Sequence, residues 1–149
     1  MKNLYQPDAI TEVLDRIGHL HSESEQQWGK MSAAQMLAHC TAALEVAAGQ
    51  KFPPRMFIGF ILGAALKPGF INNKPFRKNG LTDPSFVIND KRSFIIERTR
   101  LISIIGQFYA GGEDKCTSHP HTFYGRLTPW EWATGMYKHI DHHLRQFGV

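Results

Sequence analysis

The chain has 149 residues, 42% hydrophobic and 20% charged, so it can bury a core and is too apolar to be disordered throughout. Seventeen basic against thirteen acidic residues leave a net charge of +4 with no long run of Lys or Arg, and nucleic acid is not an expected partner. Two cysteines, Cys40 and Cys116, exclude a disulfide framework.

The start of the chain lacks the basic, apolar and small-residue succession of a secretory signal. The most apolar stretch, Met56 to Leu66, covers 11 residues, whereas a membrane-spanning helix needs roughly 20. A cytoplasmic protein with no membrane partner is the expectation.

Five helices are predicted in chain order. Pro7 suits a first turn, and Ile10, Val13, Leu14 and Ile17 follow at the spacing of one helical face. The polar stretch His21 to Gln27 reads as a loop. Ser32 with Gln35 three residues later forms a capping box, opening a helix whose apolar stripe is Met36, Leu37, Cys40, Ala43, Leu44 and Ala47, with Gly49 as its stop. Pro53 and Pro54 introduce a third, shorter helix that Lys67-Pro68-Gly69 should end. It is apolar nearly all round, which implies deep burial or cover by a partner chain, and its Gly59 and Gly63 permit close helix contact.

From Gly69 to Asp90 turn formers recur and no helical period survives, so a long connection is predicted, with one extended piece at Ser85 to Ile88. A fourth helix follows from about Lys91 to Tyr109, with Phe94, Leu101, Ile102, Ile105, Phe108 and Tyr109 inward and Gly111-Gly112 as its break. The last helix has the clearest start: Thr128 as cap, Pro129 in the first turn and Glu131 completing a second capping box. No repeat or linker divides the chain, so residues 1–149 are expected to form one all-α bundle domain.

The chemistry lies in that last helix. Residues four apart stand about 6 Å apart along the axis and are offset by roughly 40°. His139 and His143 can therefore aim at one point, and they continue an inward seam through Trp132 and Met136. His142 is turned by about 100° and falls outside the ligand set, at the rim. His39 is the best third ligand, because it lies beside the stripe of the second helix with the small Ala42 and Ala43 one turn away. Three histidines leave a coordination position open, which is the catalytic rather than the closed structural pattern. All-imidazole ligation suits zinc or nickel first, then iron or copper.

Against this stand plainer readings. A single interior histidine is more often a hydrogen-bonded core residue than a ligand. A histidine cluster near a helix C-terminus can also be a solvated end, although Trp132 and Met136 would then be exposed with it. Cys116, His119 and His121 have loop spacing that could bind metal, but no second cluster matches it. His119 and His121 are better placed at the mouth of the site, and with His142 and Gln146 they are candidates to support the ligands from outside. Cys40 is assigned to the core, and Trp28, Trp130 and Trp132 to packing. No general base is assigned.

Two blocks, Trp28-Gly29-Lys30-Met31-Ser32-Ala33-Ala34-Gln35-Met36-Leu37-Ala38-His39-Cys40 and Leu127-Thr128-Pro129 through His139-Ile140-Asp141-His142-His143-Leu144-Arg145-Gln146-Phe147-Gly148, resemble the DinB/YfiT-like metalloenzyme superfamily, most closely a branch of unknown function. The resemblance implies an up-down four-helix bundle, here with an additional short helix and a long connecting loop. It implies a metal site made by one histidine of the second helix and a His-x-x-x-His pair of the last, which match His39, His139 and His143. Many members read His-His-Arg-Gly-Gln where this chain has His142-His143-Leu144-Arg145-Gln146; the ligands are spared and the rim is altered. Characterised relatives include metal-dependent transferases and isomerases that use low-molecular-weight thiols, the metal lowering the thiol pKa. By that resemblance a metal-dependent transferase or hydrolase acting on a small-molecule substrate is expected. The rival is a non-enzymatic metal-binding or stress-related interaction protein, a homodimer through the third helix.

Overall fold

A computed structural model describes residues 1–80 and 82–149; Leu81, inside the expected long connection, lies outside the described residues. The chain is all-α. Five helices, α1 (Pro7–Gly18), α2 (Ala33–Ala47), α3 (Phe57–Ile71), α4 (Phe94–Gly111) and α5 (Pro129–Gln146), are joined by loops with short 3-10 turns at Pro84–Phe86 and Glu113–Lys115. No strand occurs among the described residues, and His121 and Gly125 form an isolated antiparallel bridge.

Local chemistry sets the helix starts. Ser32 and Gln35 exchange side chain-to-backbone bonds at the head of α2, as Thr128 and Glu131 do at α5, and each pair satisfies two backbone N–H groups. Past α2, Gly49 turns the chain at φ 71°, a conformation open to glycine at no steric cost.

α2 packs chiefly along α4 and also against α5, α1 lies on α5 and α4, and α3 rests on α5. One apolar cluster results, with Leu37, Leu44, Leu101, Ile105, Trp132, Ile140 and Leu144 fully shielded from solvent. The α4 seam is Leu101, Ile104, Ile105 and Phe108, spaced i, i+3, i+4 and i+7. Ile102 and Tyr109, expected inward, each follow a seam residue by one position, so the helical turn of about 100° carries them to the exposed flank. The α1 face is as predicted except Leu14, which is half-buried.

The third helix differs most from its sequence expectation. It runs through Pro68 to Ile71 instead of ending at Lys67, and the long connection accordingly begins at Asn72. Tertiary contacts override the local break. Phe70 is buried against α5 at Gly135, and Lys138 Nζ donates to the Gly69 carbonyl at 2.6 Å and to Asn72 Oδ1 at 2.9 Å. Further on, the extended piece expected at Ser85 to Ile88 is in part a 3-10 turn, capped by Asp83 Oδ1 accepting from Ser85 N at 2.8 Å.

Deep burial of α3 is excluded: Phe57 is 81% exposed, Phe60 64% and Ile61 62%, with Leu66 and Leu62 also open. Its seated seam is Gly59, Gly63 and Phe70. The two glycines serve a loop instead of a helix, because a Cβ at Gly59 or Gly63 would lie 2.6 or 2.1 Å from the Phe123 carbonyl oxygen. Gly63→Ala should therefore cost about 1–3 kcal/mol from overpacking, outweighing the ~1 kcal/mol that alanine gains in a helix. An unchanged or raised urea midpoint would refute that contact.

Among the described residues, no helix is long and apolar enough to cross a membrane.

Candidate metal centre

The capped start of α2 places His39 on its second turn, where it is buried at the face toward α5. On α5 the seam Trp132, Met136, Ile140, Leu144 is buried, and His139 and His143 stand beside it. Each pair of the rings of His39, His139 and His143 has its centroids 4.8 Å apart, so the three imidazoles form a near-equilateral triangle. One ligand-capable atom from each lies within 4.8 Å of the others, and the three histidines could hold a metal ion.

Hydrogen bonds decide which nitrogens face the centre. His39 Nδ1 donates to the Phe86 carbonyl oxygen at 2.8 Å. A carbonyl can only accept, so the proton of neutral His39 sits on Nδ1 and Nε2 keeps its lone pair. That Nε2 is 2.9 Å from His139 Nε2. His143 Nδ1 lies 2.8 Å from Gln146 Oε1. The Gln146 amide is oriented by its own Nε2 donating to the Trp28 carbonyl at 2.6 Å, so Oε1 accepts and His143 too carries its proton on Nδ1. Two of three rings are thus held in the tautomer that offers Nε2. His139 Nδ1 is buried with no partner among the described residues.

Electrostatics keep the set neutral. Burial pulls the pKa of His143 down to about 3, with the neighbouring His39 adding to the effect. Burial also holds His39 below the ordinary histidine value, opposed by the Phe86 bond. His139 is depressed well below it by burial, then by His143 and His39. Neutral imidazole is the form that binds metal.

The expected supporting residues divide. Gln146 touches His143, as described. His142 is half-buried, packs on His143 with ring centroids 5.1 Å apart, and also touches the rings of Trp28 and Phe76. His121 packs on Trp132 at 5.2 Å, and its Nδ1 accepts from the backbone of Phe123 and Tyr124; burial brings it to about 4. His119 is not part of the site: its Nε2 is 2.9 Å from the Pro53 carbonyl oxygen and its ring packs on Phe52. Nor do Cys116, His119 and His121 converge, since the Cys116 thiol points to the Ala47 carbonyl. Cys40 is buried beside Met36, and burial pushes its thiol pKa up, as a core residue requires. Sequence reasoning missed the Phe86 carbonyl, because no side-chain pattern marks a main-chain acceptor in a loop. It also took Trp28 only as packing, although its carbonyl orients Gln146 and its ring flanks His142.

No curated protein and no solved structure matches the chain significantly. A family model described as protein of unknown function (DUF1569) does match, over residues 2–148, and the chain belongs to that family.

Proposed function

We propose that His39, His139 and His143 coordinate a divalent metal, zinc or nickel before iron or copper, and that the chain is a metal-dependent enzyme of transferase or hydrolase type acting on a small molecule, with a low-molecular-weight thiol as co-substrate. Membership of the DinB/YfiT-like superfamily, its four-helix-bundle topology and a cytoplasmic location belong to the same reading. The observation that carries it is the pair of tautomer locks: Phe86 and Gln146 turn two Nε2 lone pairs toward a triangle completed by His139. Ligands about 2.0–2.1 Å from one tetrahedral ion stand about 3.3 Å from each other, a few tenths of an ångström beyond the 2.9 Å between His39 and His139. A bound ion would supply Lewis acidity. The protein's part is to keep three imidazoles unprotonated and fixed.

The test is the metal content of protein made without a histidine tag. Near-stoichiometric metal in the native chain, lost in His39→Ala and His143→Ala, is expected. Absence of metal, with no rise in melting temperature on adding zinc or nickel, would make the cluster structural. Turnover of a generic electrophile with at least one cellular thiol is expected of the loaded protein, and none across a broad thiol panel would remove the transferase reading.

The exposed apolar α3 favours a second reading, a metal-binding protein that works as a homodimer without catalysis. Light scattering should then give twice the chain mass and Ile61→Glu should halve it; a native monomer would dismiss the dimer. His139→Ala separates the two readings, since an enzyme loses turnover whereas a binding protein loses only metal and stability.

A further inference from the structure

Beside the histidine triangle lies an open cavity of about 510 Å³, walled by Trp28 and Phe76 and floored by His142. Its size is that of small-molecule sites, which are mostly apolar with a few polar groups. Both aromatic rings face His142, at 5.6 Å for Trp28 and 5.9 Å for Phe76, and His142 packs directly on His143. His142 is half-buried and lines the cavity, and neither of its nitrogens has a hydrogen-bond partner within the protein among the described residues, so it offers polar capacity that the fold does not use.

Two cations stand at the rim. Lys78 Nζ lies 4.2 Å over the Trp28 ring and forms no ion pair among the described residues. Arg145 binds Asp141 through Nε, at 3.0 Å, leaving its terminal amino groups open. Asp141 is shared between Arg145 and Arg16, from which it accepts at 2.8 Å, and Arg16 also donates to a main-chain oxygen of Val149. The cavity therefore combines apolar walls, an unspent imidazole, the ammonium of Lys78 and the open terminal amino groups of Arg145.

The geometry points to a binding site for a small anion with a flat apolar body, its carboxylate or phosphate held by Lys78 and Arg145 and its body lying between Trp28 and Phe76. That this molecule is the substrate of the metal centre rests on the reading given above; the anion site itself does not. The contact from His142 to His143 is the link between the two.

The probe is 2-naphthoate, titrated calorimetrically against native protein, Lys78→Gln and Trp28→Leu, with 2-naphthamide as the uncharged control. Each protein is measured after chelator dialysis and again with zinc. Naphthoate should bind the native chain in both states. The amide should bind at least about tenfold more weakly, and Lys78→Gln should weaken naphthoate by a similar factor, as expected for loss of a charge-assisted contact. Lys78 is exposed, so this variant should keep the native fold, checked by its melting temperature. Equal binding of acid and amide, indifference to Lys78→Gln, or no binding at millimolar probe would overturn the site. Binding seen only with zinc and untouched by Lys78→Gln would be direct ligation by the metal and would overturn it as well. Naphthoate binding by a chain that takes up no metal would leave the anion site standing while the metal reading fell. Metal uptake without naphthoate binding would do the reverse.

Discussion

Lowering the pH from 6.5 to 4 should remove on the order of 5 kcal/mol from the stability of the metal-free protein. His143 and His121 have folded-state pKa values of about 3 and about 4, against 6.5 for an ordinary histidine. His39 and His139 are shifted in the same direction by burial. The sign follows from proton counting. Between those values the unfolded chain binds protons that the folded chain refuses, so acid favours unfolding. The contribution is complete above pH 6.5 and is lost as the pH falls toward 4. Since whole-domain stabilities are about 5–15 kcal/mol, the loss of roughly a third or more of the stability by pH 4 is the expected result. The depressed carboxyl groups of Glu12 and Glu131 act in the same sense but only below about 4.5, outside most of this window. Urea midpoints measured in chelator at pH 7, 6, 5 and 4.5 decide the matter. A flat series would show that the histidines are solvated in the folded chain; His143→Gln and His121→Gln should each flatten the slope.

Gly135→Val should cost about 3 kcal/mol or more and loosen α3 at its C-terminal end. A Cβ on Gly135 would fall 1.9 Å from Phe70 Cε1, and the next contacts, at 2.1 and 2.7 Å, belong to the same ring. Phe70 is the one buried large side chain of α3, stacked with Tyr124 at 4.6 Å and packed on His121 at 5.1 Å, so it has no free space to move into. Phe70→Ala alone should cost about 3–5 kcal/mol. In the double variant the valine meets no ring, so the combined cost should approach that of Phe70→Ala alone. Strictly additive costs would mean that the two positions do not meet.

What was legible in the sequence was local. The caps of α2 and α5 are read from residues three apart and recur as bonds of 2.8 to 3.3 Å. The histidine pair on α5 follows from helical periodicity, and the choice of His39 from its place beside an apolar stripe. The convergence of these three rings rests on α2 packing against α5, which the stripes make sterically reasonable. What was not legible depends on partners distant in sequence. Pro68 signals a helix end, yet Lys138 and Gly135 hold the chain helical past it. Ile102 is as hydrophobic as its seam neighbours and Tyr109 carries a large aromatic ring, and the azimuth at which α4 docks separates them from Ile104 and Phe108. His119 and His121, two positions apart, share one mouth by sequence, but the turn closed by the bridge from His121 to Gly125 sends the His121 ring toward Trp132 and the His119 ring to Pro53.

The sequence distance across the triangle bears on the order of assembly. His39 and His139 meet over a separation of 100 residues, and His39 reaches Phe86 over 47. A chain emerging from its N-terminus presents one histidine of the three until the final helix has formed and docked, and that histidine's tautomer is set earlier, by the Pro84–Phe86 turn. The site is therefore a late product of folding and not its template, since contacts this remote pay their loop-closure entropy only when the intervening helices are in place. A fragment ending before α5 would have a normal α2 cap and no capacity to gather an ion. Release of the Pro84–Phe86 turn from a complete chain would leave all three rings present with the basicity of His39 no longer defined.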